Sequence, residues 1–248
     1  MLCIMQIFAH RGIRKRGIAD ENSVEAFKAA VELGIDGIEL DVRMTRDGKA
    51  VVMHDANFRR VAGDVRKVEA LTYHEIGEIV LRHGSAIPLL DDVTAVVPDP
   101  VQIDFEVKDP SAFESIKRKL NTSAGLRSRS ILSTFHEDVI AVACRELPDI
   151  RRFLLVKRWP IFWSRFADRV RELGVTGVGF STNTWTDARV RRVKDLGLET
   201  ITWELMGLRS SRQRAVRLEK IGVDIVIANN PRLYVEGLRR EGRRGVGA

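Results

Sequence analysis

Eight short apolar runs alternate with amphipathic stretches along the chain, and that alternation leaves few architectures open. The runs are Ile4 to Ala9, Gly37 to Val42, Gln102 to Val107, Ser130 to Thr134, Arg152 to Val156, Gly177 to Ser181, Glu199 to Trp203 and Asp224 to Ala228. Each has the length and side-chain content of a buried strand. Helix-like stretches lie between them, among them Ser23 to Leu33, Glu137 to Leu147, Asp187 to Leu196 and Ser210 to Ile221. Gly34, Gly174, Gly197 and Gly222 stand where helices should stop, a position that favours glycine. Eight strand–helix units in 248 residues predict an α/β fold, the TIM (β/α)8 barrel.

One run does not fit. Ala50 to His54 follows the second strand through Thr45-Arg46-Asp47-Gly48, and Asp-Gly is a strong hairpin signal. A hairpin partner is antiparallel and has no place in a parallel barrel. The run is therefore expected to fold back as a flap over the top of the second strand. Residues 56–88 become a short insertion after that strand, with a small helix near Leu71 to Ile76 capped by Thr72. The barrel resumes near Asp91. Residues 1–236 read as a single domain without linker or internal repeat, and 237–248 as a basic tail. Arg239 to Arg244 holds four arginines against one glutamate and is expected to be disordered and solvated, with RNA or phospholipid contact as the alternative.

Composition narrows the class further. The net charge of +7 suits an anionic ligand, a nucleic acid or a membrane surface. The apolar runs are too short to cross a bilayer as helices. The opening MLCIMQIFAHRG lacks a basic leader and a small-residue cleavage site, so it reads as the first strand rather than a signal peptide. Cys3 and Cys144 make neither a disulfide framework nor a zinc site, which fits a reducing cytoplasm.

The chemistry is carried by strand ends. Faces alternate along a strand, so Ile38, Leu40 and Val42 share one face while Glu39 and Asp41 share the other. In QIDFEVK the same pattern separates Ile103, Phe105 and Val107 from Asp104, Glu106 and Lys108. Barrel enzymes place their sites at the C-terminal ends of strands. Buried carboxylates there need positive charge between them. Glu39, Asp41 and Glu106 offer three oxygen donors suited to a hard divalent cation, Mg2+, Ca2+ or Mn2+. Ion pairing with Arg43, Lys108 and Arg11 is the alternative, and the recurrence on two strands favours the cation.

The first strand ends in His10-Arg11-Gly12, with an arginine able to grip a phosphate. Asn22 is expected to cap the next helix, Glu25 completing a capping box, while Glu21 steadies Arg11 or a ligand. His54-Asp55 ends the flap. Two histidines on opposite sides of a phosphate can exchange roles as general acid and base. Asp55 either holds the His54 tautomer or caps the following turn.

Taken in order, these residues carry a resemblance. HRG, then EN-S-x-x-A-F, ELDV-x-x-T-x-DG-x-x-V-x-HD and E-x-K resemble the glycerophosphodiester phosphodiesterase family. Ile87-Pro88-Leu89-Leu90, Ser133-Thr134-Phe135, Trp203, Gly222-Val223-Asp224 and Asn230-Pro231 continue the likeness over roughly residues 7–231. The resemblance implies a barrel hydrolysing glycerophosphodiesters to an alcohol and glycerol 3-phosphate. It implies Glu39, Asp41 and Glu106 as metal ligands, His10 and His54 as the acid/base pair, and Arg11 and Lys108 as contacts for phosphate or glycerol hydroxyls. Alternatives are a lysophospholipase D at the same site and a non-catalytic phospholipid- or RNA-binding barrel; no specific nucleic-acid partner is expected.

Two departures concern the rim. Asp20 stands where the family usually has proline. Glu204-Leu205-Met206 follows Trp203 where the family usually reads Thr-Val-Asn. Trp203 and Glu204 are candidate substrate contacts, Glu204 for a cationic head group unless it pairs with a loop arginine. Trp159, Phe162, Trp163 and Phe166 have helical spacing. They read either as a helix face packed on the barrel or, with Trp185, as a lip touching acyl chains or an anionic membrane.

Overall fold

A computed structural model describes residues 4–13, 19–205 and 210–240. Of the tail expected to be disordered over 237–248, residues 237–240 instead complete the helix Pro231–Arg240, whereas 241–248, like Met206 and Cys3, lie outside the described residues. The strands are β1 (Gln6–His10), β2 (Gly37–Met44), β3 (Ala50–Val52), β4 (Gln102–Val107), β5 (Ser130–Thr134), β6 (Arg151–Leu155), β7 (Gly177–Ser181), β8 (Glu199–Trp203) and β9 (Ile225–Ala228). All except β3 pair in parallel with their neighbours, from β1 through β2 and β4 round to β9, and β9 pairs with β1. The result is the closed eight-stranded barrel with helices between the strands. β1 begins at Gln6 and extends to His10 because His10 pairs alongside Glu39 of β2.

Alternation sorts the side chains into two cores. Ile7 and Ala9 of β1, Ile38, Leu40 and Val42 of β2, and Ile103, Phe105 and Val107 of β4 pack outward with the helices. Phe8, Ile131, Phe153, Leu155, Ile201, Ile225 and Ile227 form a separate interior cluster. This interior cluster plugs the barrel. Above it the inward positions turn polar: register sets Glu39 beside Asp104 and Asp41 beside Glu106.

The hairpin is as expected. β3 is antiparallel to β2, with Val42 opposite Val52 and Met44 opposite Ala50. Gly48 turns it at φ +74°, a backbone conformation that costs other residues energy. Val51 and Met53 of the hairpin pack with Phe58, Val61, Val68, Leu71, Ile76, Ile79, Leu81 and Ile87 of the stretch that follows in a second core. Its short helix Tyr73–Ile76 carries the expected Thr72 cap, with Glu75 completing the capping box.

The cap on the first barrel helix, Val24–Glu32, differs from expectation. Ser23, not Asn22, is its N-cap and accepts from the Ala26 N–H at 3.2 Å. Asn22 sits at φ +59°, a left-handed conformation that asparagine tolerates better than most residues. That backbone swings its amide into the barrel mouth instead.

Candidate active site

His10, Arg11, Glu39, His54, Glu106, Lys108, Phe135, Trp203 and Glu204 line a cavity of about 160 Å3 at the C-terminal mouth of the barrel. Nine sites predicted from sequence were His10, Arg11, Glu39, Asp41, His54, Glu106, Lys108, Trp203 and Glu204; all but Asp41 line this cavity, and Asp41 lies directly beneath it, fully buried. Oxygens of Glu39, Asp41 and Glu106 lie within 4.8 Å of one another.

Of the two sequence alternatives for these carboxylates, ion pairing is present through Arg11 and Lys108, while Arg43 bonds the His54 carbonyl instead. Arg11 Nε lies 3.0 Å from Asp41 Oδ2, and Lys108 Nζ lies 3.3 Å from Asp41 Oδ1 and also bonds Glu106. Two cations therefore face three carboxylates. Burial would raise the Asp41 carboxyl, but Arg11 and Lys108 outweigh it and hold it far below its ordinary range. Glu39 goes the other way: burial, with Asp41 and Glu106 beside it, pushes it well up. Glu106 is also raised by burial, against the pull of Lys108.

This imbalance tests whether a divalent cation fits. Glu39 Oε1 and Asn22 Oδ1 are buried without a hydrogen-bond donor, and Asp41 Oδ1 has the Lys108 ion pair at 3.3 Å but no hydrogen bond, an arrangement that native interiors avoid unless something else satisfies the oxygens. Uncommitted hard oxygens around surplus negative charge match what Mg2+, Ca2+ or Mn2+ requires. The residues present fit such an ion.

His10 is fixed from behind. Its Nδ1 lies 2.7 Å from Asn229 Oδ1, while Asn229 Nδ2 donates to Leu205 O at 3.1 Å. Because the amide nitrogen is spent on Leu205, its oxygen is the acceptor and His10 Nδ1 the donor. Nε2, 3.9 Å from Glu39 Oε2, is left with its lone pair toward the cavity. Burial, reinforced by Arg11, lowers the imidazolium to about 3. His10 is therefore held as a neutral imidazole at neutral pH.

His54 reaches the cavity from the flap. Arg43 Nε donates to the His54 carbonyl at 2.9 Å, and His54 Nδ1 lies 2.6 Å from Asp55 Oδ1. Of the two readings for Asp55, contact with the ring is the one found. Asp55 bonds Arg60 at 2.6 Å, Arg60 bonds Glu21 at 2.6 and 2.9 Å, and Glu21 bonds Arg11 at 2.8 Å. A chain of alternating charge thus ties the His54 flap to the loop after His10. Burial alone would raise Glu21, but Arg60 and Arg11 bring it down to about 2.

Glycine is required at position 12. Gly12 has φ +76°, and a Cβ there would meet the Ala26 carbonyl carbon at 2.6 Å. This close approach lets the chain turn from His10 and Arg11 straight back against the first helix.

Two partners, Asn229 and Arg60, escape sequence reading, and a third, Asp104, falls on the polar strand face without a role. Asn229 follows an apolar strand and carries no local signal. Arg60 stands 39 positions from Glu21. Asp104, buried beside Glu39 and bonded by Ser133 at 3.1 Å, is pushed up to about 7 by burial. Only its strand alternation, shared with Glu106, pointed inward.

The rim differs from expectation. Glu204 is wholly buried, and its oxygens are bonded by Arg214 at 2.7 Å, Tyr234 at 2.8 Å, the Asn229 N–H at 2.8 Å and Ser210. Pairing with an arginine is therefore the alternative realised, on a helix (Arg212–Lys220) rather than a loop. A carboxylate so engaged has no capacity left for a cationic head group. Trp203 stays at the rim, edge-on to Phe135 with ring centres 5.5 Å apart.

The aromatic run is also divided. The helix begins only at Trp163 (Trp163–Leu173). Trp159 precedes it, stacks on Trp163 at 4.9 Å and packs on Phe180. Trp185 is only 1% exposed and takes no part in a lip. Within the stretch from Trp159 to Phe166 the exposed apolar residues are Ile161 at 90% and Phe162 at 66%.

A sequence model of the Glycerophosphoryl diester phosphodiesterase family matches residues 10–233. A glycerophosphodiester phosphodiesterase of Bacillus altitudinis is 32% identical over 164 residues, 60% of this chain and 66% of that protein. One from Caldanaerobacter subterraneus is 27% identical over 248 residues, 95% of this chain and 98% of that protein. Among solved structures, an Oleispira antarctica phosphodiesterase in complex with sn-glycerol-3-phosphate superposes with a TM-score of 0.77 at 20% identity, covering 95% of this chain and 97% of that one.

Proposed function

The chain belongs to the glycerophosphoryl diester phosphodiesterase family, and from that premise we propose that it hydrolyses glycerophosphodiesters to glycerol 3-phosphate and an alcohol. The observation that carries this reading is the convergence of Glu39, Asp41 and Glu106, with uncommitted buried oxygens, beneath two histidines held in place by separate partners. The product bound by the Oleispira phosphodiesterase supports a small glycerophosphate ligand.

Glu39, Asp41 and Glu106 would hold a divalent cation, whose chemistry is Lewis-acid polarisation of a phosphate oxygen. Arg11 and Lys108, already drawn to this cluster, bind and orient the phosphate. His10, neutral with Nε2 toward the cavity, takes the proton of the attacking oxygen, from water or the neighbouring glycerol hydroxyl. As that O–P bond forms, the P–O bond to the leaving alcohol breaks, and His54 supplies the proton the alcohol needs. If the hydroxyl attacks first, water then opens the cyclic phosphate with the histidine roles reversed. Net consumption is one water per diester.

The test is release of glycerol 3-phosphate from glycerophosphocholine, glycerophosphoethanolamine and glycerophosphoglycerol with Mg2+, Ca2+ or Mn2+, and its suppression by EDTA. No release from any of them rejects the reading. A second reading, lysophospholipase D activity at the same site, is favoured by exposed Ile161 and Phe162 beside Arg165, whose guanidinium lies 5.3 Å from the Phe162 ring. Among the described residues no helix is long and apolar enough to cross a membrane, so such contact would be peripheral. A cytoplasmic location fits the cysteine content.

A further inference from the structure

The active-site cavity continues into a larger groove of about 1090 Å3, with which it shares His54, Lys108, Phe135 and Leu155. Four cationic side chains line this groove: Arg43, Lys108, Lys157 and Arg158. Among the described residues of its lining, the one carboxylate, Glu137, is bonded by Arg169 at 2.8 Å. Phe135 stands between the two chambers, and both lysines approach its ring, Lys108 Nζ at 5.7 Å and Lys157 Nζ at 5.9 Å from the centre.

These features decide which sign of charge the groove accepts. Choline-like groups are bound by open aromatic faces or by free carboxylates. Here two lysines already crowd Phe135, Glu204 is sealed behind Arg214 and Tyr234, and Glu137 is paired. Among the described residues lining the groove, a cationic head group would meet four cations and one carboxylate that is already paired. The phosphate-gripping Lys108 and the exposed Lys157 and Arg158 instead extend positive potential outward from the scissile bond.

We propose that the groove beyond Phe135 selects diesters whose leaving alcohol carries an anionic group, such as a second phosphate. This rests on the glycerophosphodiesterase reading and names its substrate class. The scissile phosphate would sit over the carboxylate cluster, and the second anion would lie between Lys157, Arg158 and Arg43. Exposed charges attract from a distance set by ionic strength, so the preference should weaken with added salt.

Three diesters test this, differing in the charge of the leaving alcohol: glycerophosphocholine (cationic), glycerophosphoglycerol (neutral) and bis(glycerophospho)glycerol (anionic). The expected order of kcat/KM is anionic above neutral above cationic, with at least tenfold between the extremes at low salt. The double variant Lys157→Ala/Arg158→Ala should lower kcat/KM for the anionic diester at least fivefold more than for the neutral one. Lys157→Glu/Arg158→Glu should bring the cationic diester above the anionic one. Equal kcat/KM for all three substrates, a preference for choline, or equal losses in the variants would overturn the proposal while leaving the hydrolase reading intact. No turnover of any of the three would overturn both.

Discussion

His10 Nδ1 and Asn229 Oδ1 lie 2.7 Å apart, joining the first barrel strand to the residue after the last. Asn229 is held on its own side by Glu204, which accepts its N–H, and by Leu205, whose carbonyl takes its amide. Glu204 thus acts on the site through Asn229 rather than on the ligand. Asn229→Ala should reduce kcat about tenfold or more with little change in KM, because ring orientation is lost while substrate contacts persist. Asn229→Asp, which retains the acceptor, should restore most of the rate. A parallel rise in KM, or no recovery with aspartate, would reject the positioning role.

Removal of either histidine should affect the chemical step alone. His10→Ala and His54→Ala are each expected to lower kcat by about 10²-fold or more. Near-normal turnover in either variant, measured as glycerol 3-phosphate release, would contradict the assigned role.

Glu39 is predicted to set stability against function. Burial and the neighbouring Asp41 and Glu106 penalise its charge. Glu39→Gln should therefore raise the melting temperature of the metal-free protein while weakening binding of Mg2+, Ca2+ or Mn2+ in calorimetry. In the unsubstituted protein a saturating ion should stabilise by about 3 kcal/mol at 100 times its Kd. A variant with a lower metal-free melting temperature and unchanged ion affinity would argue against the ligand assignment.

Acid should loosen the link between the flap and the first loop. Glu21 sits at about 2 in the folded protein against an ordinary 4.5. Its contribution is fully present above pH 4.5 and is lost as pH falls toward 2, because the unfolded state binds the proton first. The shift corresponds to about 3 kcal/mol. Urea titrations between pH 6 and pH 3 should show a smaller decline for Glu21→Gln than for the unsubstituted chain. Parallel declines would show that the network contributes no such term.

The exposed pair Ile161 and Phe162, rather than the tryptophans, is where a membrane contact is predicted. Ile161→Ser/Phe162→Ser should lower binding to anionic vesicles several-fold, whereas Trp159→Ala should chiefly lower stability, since its ring packs on Trp163 and Phe180. Equal vesicle binding by the double serine variant would remove the lip.

Much of this was legible in the chain because the signals were periodic. Alternation along GIELDV and QIDFEV reported which side chains face the barrel axis, and Asp47-Gly48 announced the hairpin. What escaped was set by long-range geometry. Asn22 looks like a helix cap in sequence, but its left-handed backbone sends its amide to Asp41 at 2.8 Å. For Glu204 the sequence leaves open a head-group contact or an arginine pair, and the choice falls to Arg214 and Tyr234, which arrive from two later helices. Phe162 and Trp163 share a helical spacing with Trp159, yet the helix starts between them. Spacing alone does not show where a helix begins.

The insertion after β2 has a core of its own, separate from the one that holds the barrel together. His10 belongs to the barrel, and His54 is delivered by the hairpin that this smaller core anchors. The two proposed acid/base groups therefore lie on a barrel strand and on a hairpin that packs partly into the smaller core, joined by the Glu21–Arg60–Asp55 bridge. Proteins open locally at lower free energy than they unfold as a whole. Detachment of the smaller unit would part the histidines while the barrel, its carboxylates and its bound phosphate stayed assembled, so ligand affinity and turnover need not fail together.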